Sequence, residues 1–360
     1  MADSGMLPVH WPWPRSLRVS PRGQVSHAWA APCRGWMMRT APPSISPIAW
    51  AGLAVGAGIL SLLVGLFAGP WGALAAVALA AVAVAALAWR STARWRARRG
   101  ALAAPIPEPW RVVLRQWCDQ YNRLPDVLRA RFEDDLRIFL AEKPITGVGV
   151  EVIDELRLLV AASAVTLSLG WPAYDWEQLN EVLLYPDDFD RDYEFGVDDL
   201  SGQAHPWGTV ILSVPALCQS FRDPDDAYHV GFHEFAHLLD LEQTHFDGIP
   251  LGFDDTAARR WVEVREREIP RMLRGESVLD DYGAHDPVEF LAVAVEAFFE
   301  AALALRRNHG ELYELLATYF QQDPAAWDDA RGLTLEPIRA RPPRPKGRMA
   351  RRRPRSRLSS

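Results

Sequence analysis

The sequence predicts a globular body of mixed helix and strand, carried behind a transmembrane helical hairpin, with a metal-holding motif in the body. Three observations predict it. Residues 47–89 carry no charged side chain and are rich in Ala, Leu, Val and Gly. The acidic residues are concentrated in 100–337, a stretch long enough to bury a proper core. Within that stretch, His233-Glu234-Phe235-Ala236-His237 is an H-E-x-x-H run in a helical pattern.

Residues 1–45 hold scattered Pro, Trp and Arg without a period and are expected to be disordered; Met37-Met38 offers an alternative translation start. The hairpin occupies 46–89. Ser46 to Ala68 is long enough to cross a bilayer, Gly69-Pro70-Trp71-Gly72 signals a turn, and Ala73 to Trp89 forms a second, slightly short span. Gly52, Gly56 and the alanines of the second segment offer small surfaces for helix packing, while Trp50, Trp71 and Trp89 fall at the expected interfaces. Arg15, Arg18, Arg22, Arg34 and Arg39 precede the hairpin; Arg90, Arg94, Arg96, Arg98 and Arg99 follow it directly; the link between the spans has none. The positive-inside rule then places both ends, and everything after residue 90, in the cytoplasm. A secretion signal fits poorly, because its apolar region would be too long and begin too late.

Residues 90–107 read as a basic juxtamembrane linker, 108–337 as the globular domain, and 338–360 as a disordered Arg-rich tail without an acid. The cluster Arg351-Arg352-Arg353-Pro354-Arg355 suits anionic lipid, RNA or plain solvation. Nucleic acid is not the expected partner, since a formal net charge of −7 for the whole chain, despite its basic ends, leaves an acidic body that would repel it. Cys33, Cys118 and Cys218 are odd in number and unclustered, so neither a disulfide framework nor a cysteine metal site follows. There is no Gly-rich phosphate loop.

The H-E-x-x-H run carries the chemistry. On a helix, His233 and His237 lie one turn apart on one face and can grip one zinc ion, with Glu234 beside it to take a proton from water at the metal. Asp223-Pro224-Asp225-Asp226 looks like the start of that helix, Leu238, Leu239 and Leu241 supply its apolar face, and Asp247-Gly248 supplies a stop. His229, four residues before His233, reads as a core or rim histidine. Gly208 to Val214 is strand-like, either a strand beside the site to which a peptide adds or a core strand.

A third ligand has several candidates. Glu263, Glu266 and Glu268 lie in a densely charged stretch and read as a solvated helix face. His245 and His285 read as loop residues. Asp286 looks like an N-cap with Pro287 at the first helical position, so Glu289 completes an arrangement like a capping box. Glu296 sits mid-helix among Val293, Val295, Phe298 and Phe299, where a buried carboxylate is costly without a partner, and zinc is a sufficient partner. Glu296 is therefore the expected metal residue, with Glu300 as runner-up. Asp240 is placed either to hold a ligand imidazole or to cap the helix end. Tyr282 is the expected donor to a developing oxyanion.

Several separated motifs, in order, resemble a known family. His233 to Asp240 (HEFAHLLD), Phe246-Asp247-Gly248-Ile249-Pro250 and Tyr282 to Val293 look like the Mlc titration factor A family of zinc peptidases. Phe139 to Lys143, Leu183 to Phe189 and Gly208 to Ser213 fit the same pattern, and the resemblance covers roughly residues 108–330. It implies an α+β, zincin-like metallopeptidase domain with one zinc ion held by His233, His237 and Glu296, and Glu234 as base. It also implies hydrolysis of peptide bonds in a peptide or protein substrate, of an aminopeptidase-like kind. The best-studied member sequesters a transcription repressor, so the alternative implied is a regulatory binding protein in which zinc mainly shapes the surface. The hairpin and the tail lie outside the resemblance. Together with it they give the expectation of a peptidase anchored in the lipid of the bacterial inner membrane and facing the cytoplasm.

Overall fold

The computed structural model describes residues 47–333, apart from 173, 191–192, 194–199 and 242–245. Residues 1–45, with Met37-Met38, the tail 338–360 and His245 lie outside the described residues. The fold is mixed α and β and mostly helical.

Helix α1 (Pro47–Ser91) is broken at Gly69, whose φ of 71° and ψ of −171° end one helix just before Pro70 starts the next. Positive φ needs glycine, and a proline at the start of a helix has no N–H to leave unpaired. The break falls where a turn was expected, but Trp71 and Gly72 are already helical. Gly69–Ser91, 23 residues with a mean hydropathy of 2.3, is long and apolar enough to cross a membrane. Its Trp71, Leu79, Val82 and Trp89 are exposed, so this helix is no core element of the body.

The basic linker expected at 90–107 begins instead as a docked helix, α2 (Ala93–Ala101). Arg96 lies over the Trp89 ring at 3.7 Å. Arg98 is buried and pairs with Glu142 and, at 2.8 Å, with Asp175. Arg94 joins the same acids, 2.8 Å from Glu142. Sequence alone shows these arginines as basic, but not that acids of the body wait for them.

Then come α3 (Glu108–Trp117), α4 (Asp119–Arg123), α5 (Asp126–Glu142), the short strand β1 (Ile145–Gly147) and α6 (Asp154–Ser168). Residues Leu158 to Ser168 are all buried, because α6 is apolar around its whole circumference and therefore central. It packs against α5 and α3 on one side. Strands β2 (Glu181–Tyr185), β3 (Gly202–Ala204) and β4 (Thr209–Ser213) complete a four-stranded sheet of order β1-β2-β4-β3. The first three of these run parallel, with Val182 opposite Val210, and β3 lies antiparallel to β4, with Gly202 opposite Leu212. Every residue of β4 is buried, so the strand-like run seen in the sequence is an interior strand, and the sheet edge nearest the motif is β3.

Helix α7 (Val214–Arg222) leads to the motif helix α8 (Val230–Leu238), which packs on α6, α7 and β3. The charged helix α9 (Asp255–Leu273) follows, then a 3-10 turn (Asp281–Ala284) and α10 (Pro287–Glu300), which crosses α8. On α9, Glu263 and Glu266 face solvent as expected, but Glu268 is buried, paired with Arg271 at 3.0 Å and with His309 at 2.7 Å. Helices α11 (Ala302–Asn308), α12 (Gly310–Phe320) and α13 (Pro324–Ala330) close the core. There Phe320 contacts Trp171, Phe298, Phe299 and Tyr319 and is fully buried. Phe320→Ala is expected to cost about 3–5 kcal/mol through lost transfer and a cavity. In thermal unfolding followed by circular dichroism this lowers the midpoint by roughly 10 °C; an unchanged midpoint would show that the cluster contributes little.

Candidate metal centre

The motif helix does not start at Asp223. That residue ends α7, and Ala227 in a left-handed conformation (φ 57°) breaks the chain before α8 begins. The N-cap is His229, whose Nδ1 accepts the N–H of Phe232 at 3.2 Å. Its ring stacks on Phe232 at 3.7 Å and meets Phe221 edge-on. Complete burial pushes His229 down to about 3, so its imidazole is neutral, and its Nδ1 is engaged in the cap.

One turn apart on α8, the His233 and His237 rings lie 4.8 Å from each other, nearly perpendicular. Helix α10 delivers two acids to His233 from opposite sides. Glu289 Oε2 lies 3.0 Å from Nε2, and Glu296 Oε1 lies 2.5 Å from Nδ1. His233, His237 and Glu289 each offer a donor atom within 4.8 Å of the others. Glu296 is outside that group. It is fully buried behind His233, and its other oxygen accepts the N–H of His229 at 3.2 Å. The structure therefore differs from the sequence expectation at the third position: the cost of burying Glu296 is met by an imidazole and a backbone amide, and Glu289 stands where the histidines converge. The capping at Asp286 is real, but its bond goes to the N–H of Val288.

Electrostatics point the same way. Burial disfavours a charged His233, yet Glu296 and Glu289 together overcome it and hold the imidazole up at about 10. The pocket thus calls for positive charge. Two imidazoles and a carboxylate are a donor set for zinc, and a carboxylate on Nδ1 leaves Nε2 as the ligating nitrogen, so the residues fit such an ion.

Glu234 is on the same buried helix, and β3 comes against it so closely that a Cβ at Gly202 would lie 2.6 Å from its Oε1. Tyr282 sits in the 3-10 turn with its ring 6.1 Å from that of His233. His285 is an exposed loop residue, as its position suggests, with Nδ1 2.9 Å from the Tyr282 carbonyl. Glu300 lies apart from the centre. It accepts the N–H of Tyr228 at 3.0 Å, and burial, then Asp226 and Glu296, push its carboxyl well up. Asp240 accepts the N–H of Gly248 at 2.8 Å.

Sequence reasoning passed over Gly202 and set Glu289 aside. For Glu289 a signal existed: seven residues before Glu296, it shares the same helix face two turns away. For Gly202 there was none, because only the folded chain brings it to Glu234.

Comparison with known proteins places the chain in a family. A family model described as glucose-regulated metallo-peptidase M90 matches residues 92–321, from α2 to the end of α12. An uncharacterized protein of Synechocystis sp. is 29% identical over 282 residues, covering 74% of this chain and 96% of that protein. Mlc titration factor A of Yersinia enterocolitica is 28% identical over 244 residues, 61% of this chain and 90% of its own. Mlc titration factor A of Pectobacterium atrosepticum is 30% identical over 210 residues, 52% and 77% respectively.

Proposed function

Because this chain belongs to the M90 family of glucose-regulated metallopeptidases, related to the Mlc titration factors A, we propose that it is a membrane-anchored zinc peptidase acting at the centre formed by α8 and α10. The observation that carries this reading is the convergence of donor atoms from His233, His237 and Glu289 within 4.8 Å, beside Glu234. His233, His237 and Glu289 hold the ion, and Glu296 orients His233 through Nδ1. When bound, zinc supplies a Lewis acid beside the scissile carbonyl. Glu234 accepts the proton of the attacking water and passes it to the departing amine. Tyr282 donates to the carbonyl oxygen as negative charge develops there. The substrate strand lies along β3, the sheet edge next to Glu234, and the aminopeptidase-like preference follows from the family resemblance.

We place the anchor in α1. The exposed apolar surface of Gly69–Ser91 suits lipid, and the apolar segment before Gly69 forms the second limb of a hairpin. With arginines flanking it, the domain 92–333 faces the cytoplasm from the inner membrane.

The test is peptide hydrolysis by the full chain in detergent. Activity is expected to fall to background on removal of metal by a chelator and to return with zinc. Hydrolysis that survives chelation would overturn the reading. A second reading is favoured by the name of the relatives, which denotes titration of a partner: the same body sequesters a transcription repressor. A repressor retained stoichiometrically by Glu234→Gln protein, with no peptide cleaved by the wild type, would replace the first reading by the second.

A further inference from the structure

One joint links the motif helix to the helix that carries Glu289. Leaving α8, the chain reaches Asp240, which is buried and directs Oδ2 at the N–H of Gly248, 2.8 Å away. The carbonyl of Gly248 accepts from Nε1 of the fully buried Trp261 at 2.7 Å. The peptide groups of residue 248 are thus held on both sides, one from the end of α8 and one from α9. Leu251 N–H bonds to Leu239 O at 2.8 Å and ties the same segment to the end of α8 again.

What Gly248 touches gives the joint its consequence. Its φ is 74°, and a Cβ there would lie 2.2 Å from the Pro287 carbonyl oxygen and 2.7 Å from the Val288 nitrogen. Gly248 therefore presses bare backbone against the first turn of α10, two residues before Glu289. Trp261 continues the contact, with its ring 5.5 Å from that of Phe290, the residue after Glu289. The order is His237, Asp240, Gly248, Pro287, Glu289: a short solid path from one ligand to another.

We propose that Asp240 is a positioning residue that sets, through Gly248 and the first turn of α10, the separation of Glu289 from the two histidines. This rests on the reading of Glu289 as a ligand. A carboxylate ligand misplaced by about 1 Å binds its ion poorly, and groups that orient ligands typically carry about 10- to 100-fold in metal affinity. Burial raises the Asp240 carboxyl to about 8, so asparagine, uncharged and of the same shape, can accept the same amide N–H.

The experiment is zinc affinity of the full chain, by competition with a chromophoric chelator, for Asp240→Ala and Asp240→Asn in the wild-type and Glu289→Ala backgrounds. Asp240→Ala is expected to weaken zinc binding about 10- to 100-fold, with Asp240→Asn restoring most of the loss. In the Glu289→Ala background, Asp240→Ala is expected to cost nothing further, since the residue it positions is gone. Equal losses in both backgrounds would mean general loosening and would overturn the proposal, as would wild-type affinity in Asp240→Ala. Unchanged affinity in Glu289→Ala alone would instead sink the ligand assignment, and the joint with it. Should Asp240→Ala not fold, Gly248→Ala addresses the joint from its other side, with the same loss expected only when Glu289 is present.

Discussion

Glu234→Gln is expected to retain its zinc and to lose turnover by about 10²- to 10⁴-fold, the usual contribution of a positioned general base. Glutamine matches the side chain in shape, so the buried contact with Gly202 on β3 survives and the three donors on α8 and α10 are untouched. What is lost is a basic oxygen. An amide cannot take the proton from the attacking water, nor hand it to the leaving amine. The close approach of β3 matters here, because it fixes the carboxylate between the helix and the sheet edge proposed above for the substrate. Zinc per chain by atomic absorption, measured beside kcat on a peptide substrate, separates the two effects. A near wild-type kcat with full zinc would remove Glu234 from the mechanism.

The second large effect distinguishes the two acids of α10. Glu289→Ala is expected to weaken zinc binding to the residual, still measurable affinity of the two histidines and to leave the fold intact, since its side chain is 18% exposed. Glu296→Ala is expected to keep all three donors and weaken zinc binding about 10- to 100-fold, because His233 loses the partner that fixes its ring and tautomer. It also leaves the His229 N–H without the carboxylate that receives it, at a cost of about 1–3 kcal/mol. In the metal-free proteins, where bound zinc adds no stability, the thermal midpoint should therefore fall in Glu296→Ala and not in Glu289→Ala. Complete zinc loss with Glu296→Ala, and full zinc with Glu289→Ala, would reverse the assignment and restore the one the sequence suggests.

Much of the local structure was legible from the chain. The break at Gly69-Pro70 announces itself in two residues, because one needs positive φ and the other has no amide hydrogen. Asp286-Pro287 marks the start of α10 for an equally local reason, a side chain that reaches an amide two residues on. The same reasoning failed at Asp223-Pro224, where the cap pattern is present but Ala227 adopts a left-handed conformation and His229 takes over the capping. Nor do strong charges in a row make a linker or a solvated face. Arg98 and Glu268 are both buried, because partners far along the chain, Glu142 and Asp175 for one and His309 for the other, accept them.

By itself, then, the sequence determined the motif helix and the pairing of His233 with His237, because both depend on neighbours within one or two turns. It also determined that an acid of α10 must find a partner, because an unpaired buried carboxylate is costly in any fold. Which acid stands with the two histidines was decided only by the tertiary structure. Glu289 and Glu296 share one helix face, and the local signals, a first-turn position for one and an apolar mid-helix setting for the other, pointed to Glu296. The crossing of α10 over α8 sets one against Nε2 of His233, toward His237, and the other against Nδ1, toward the core. An imidazole satisfies a buried carboxylate as well as an ion does, and only the angle between two helices shows which partner each acid has.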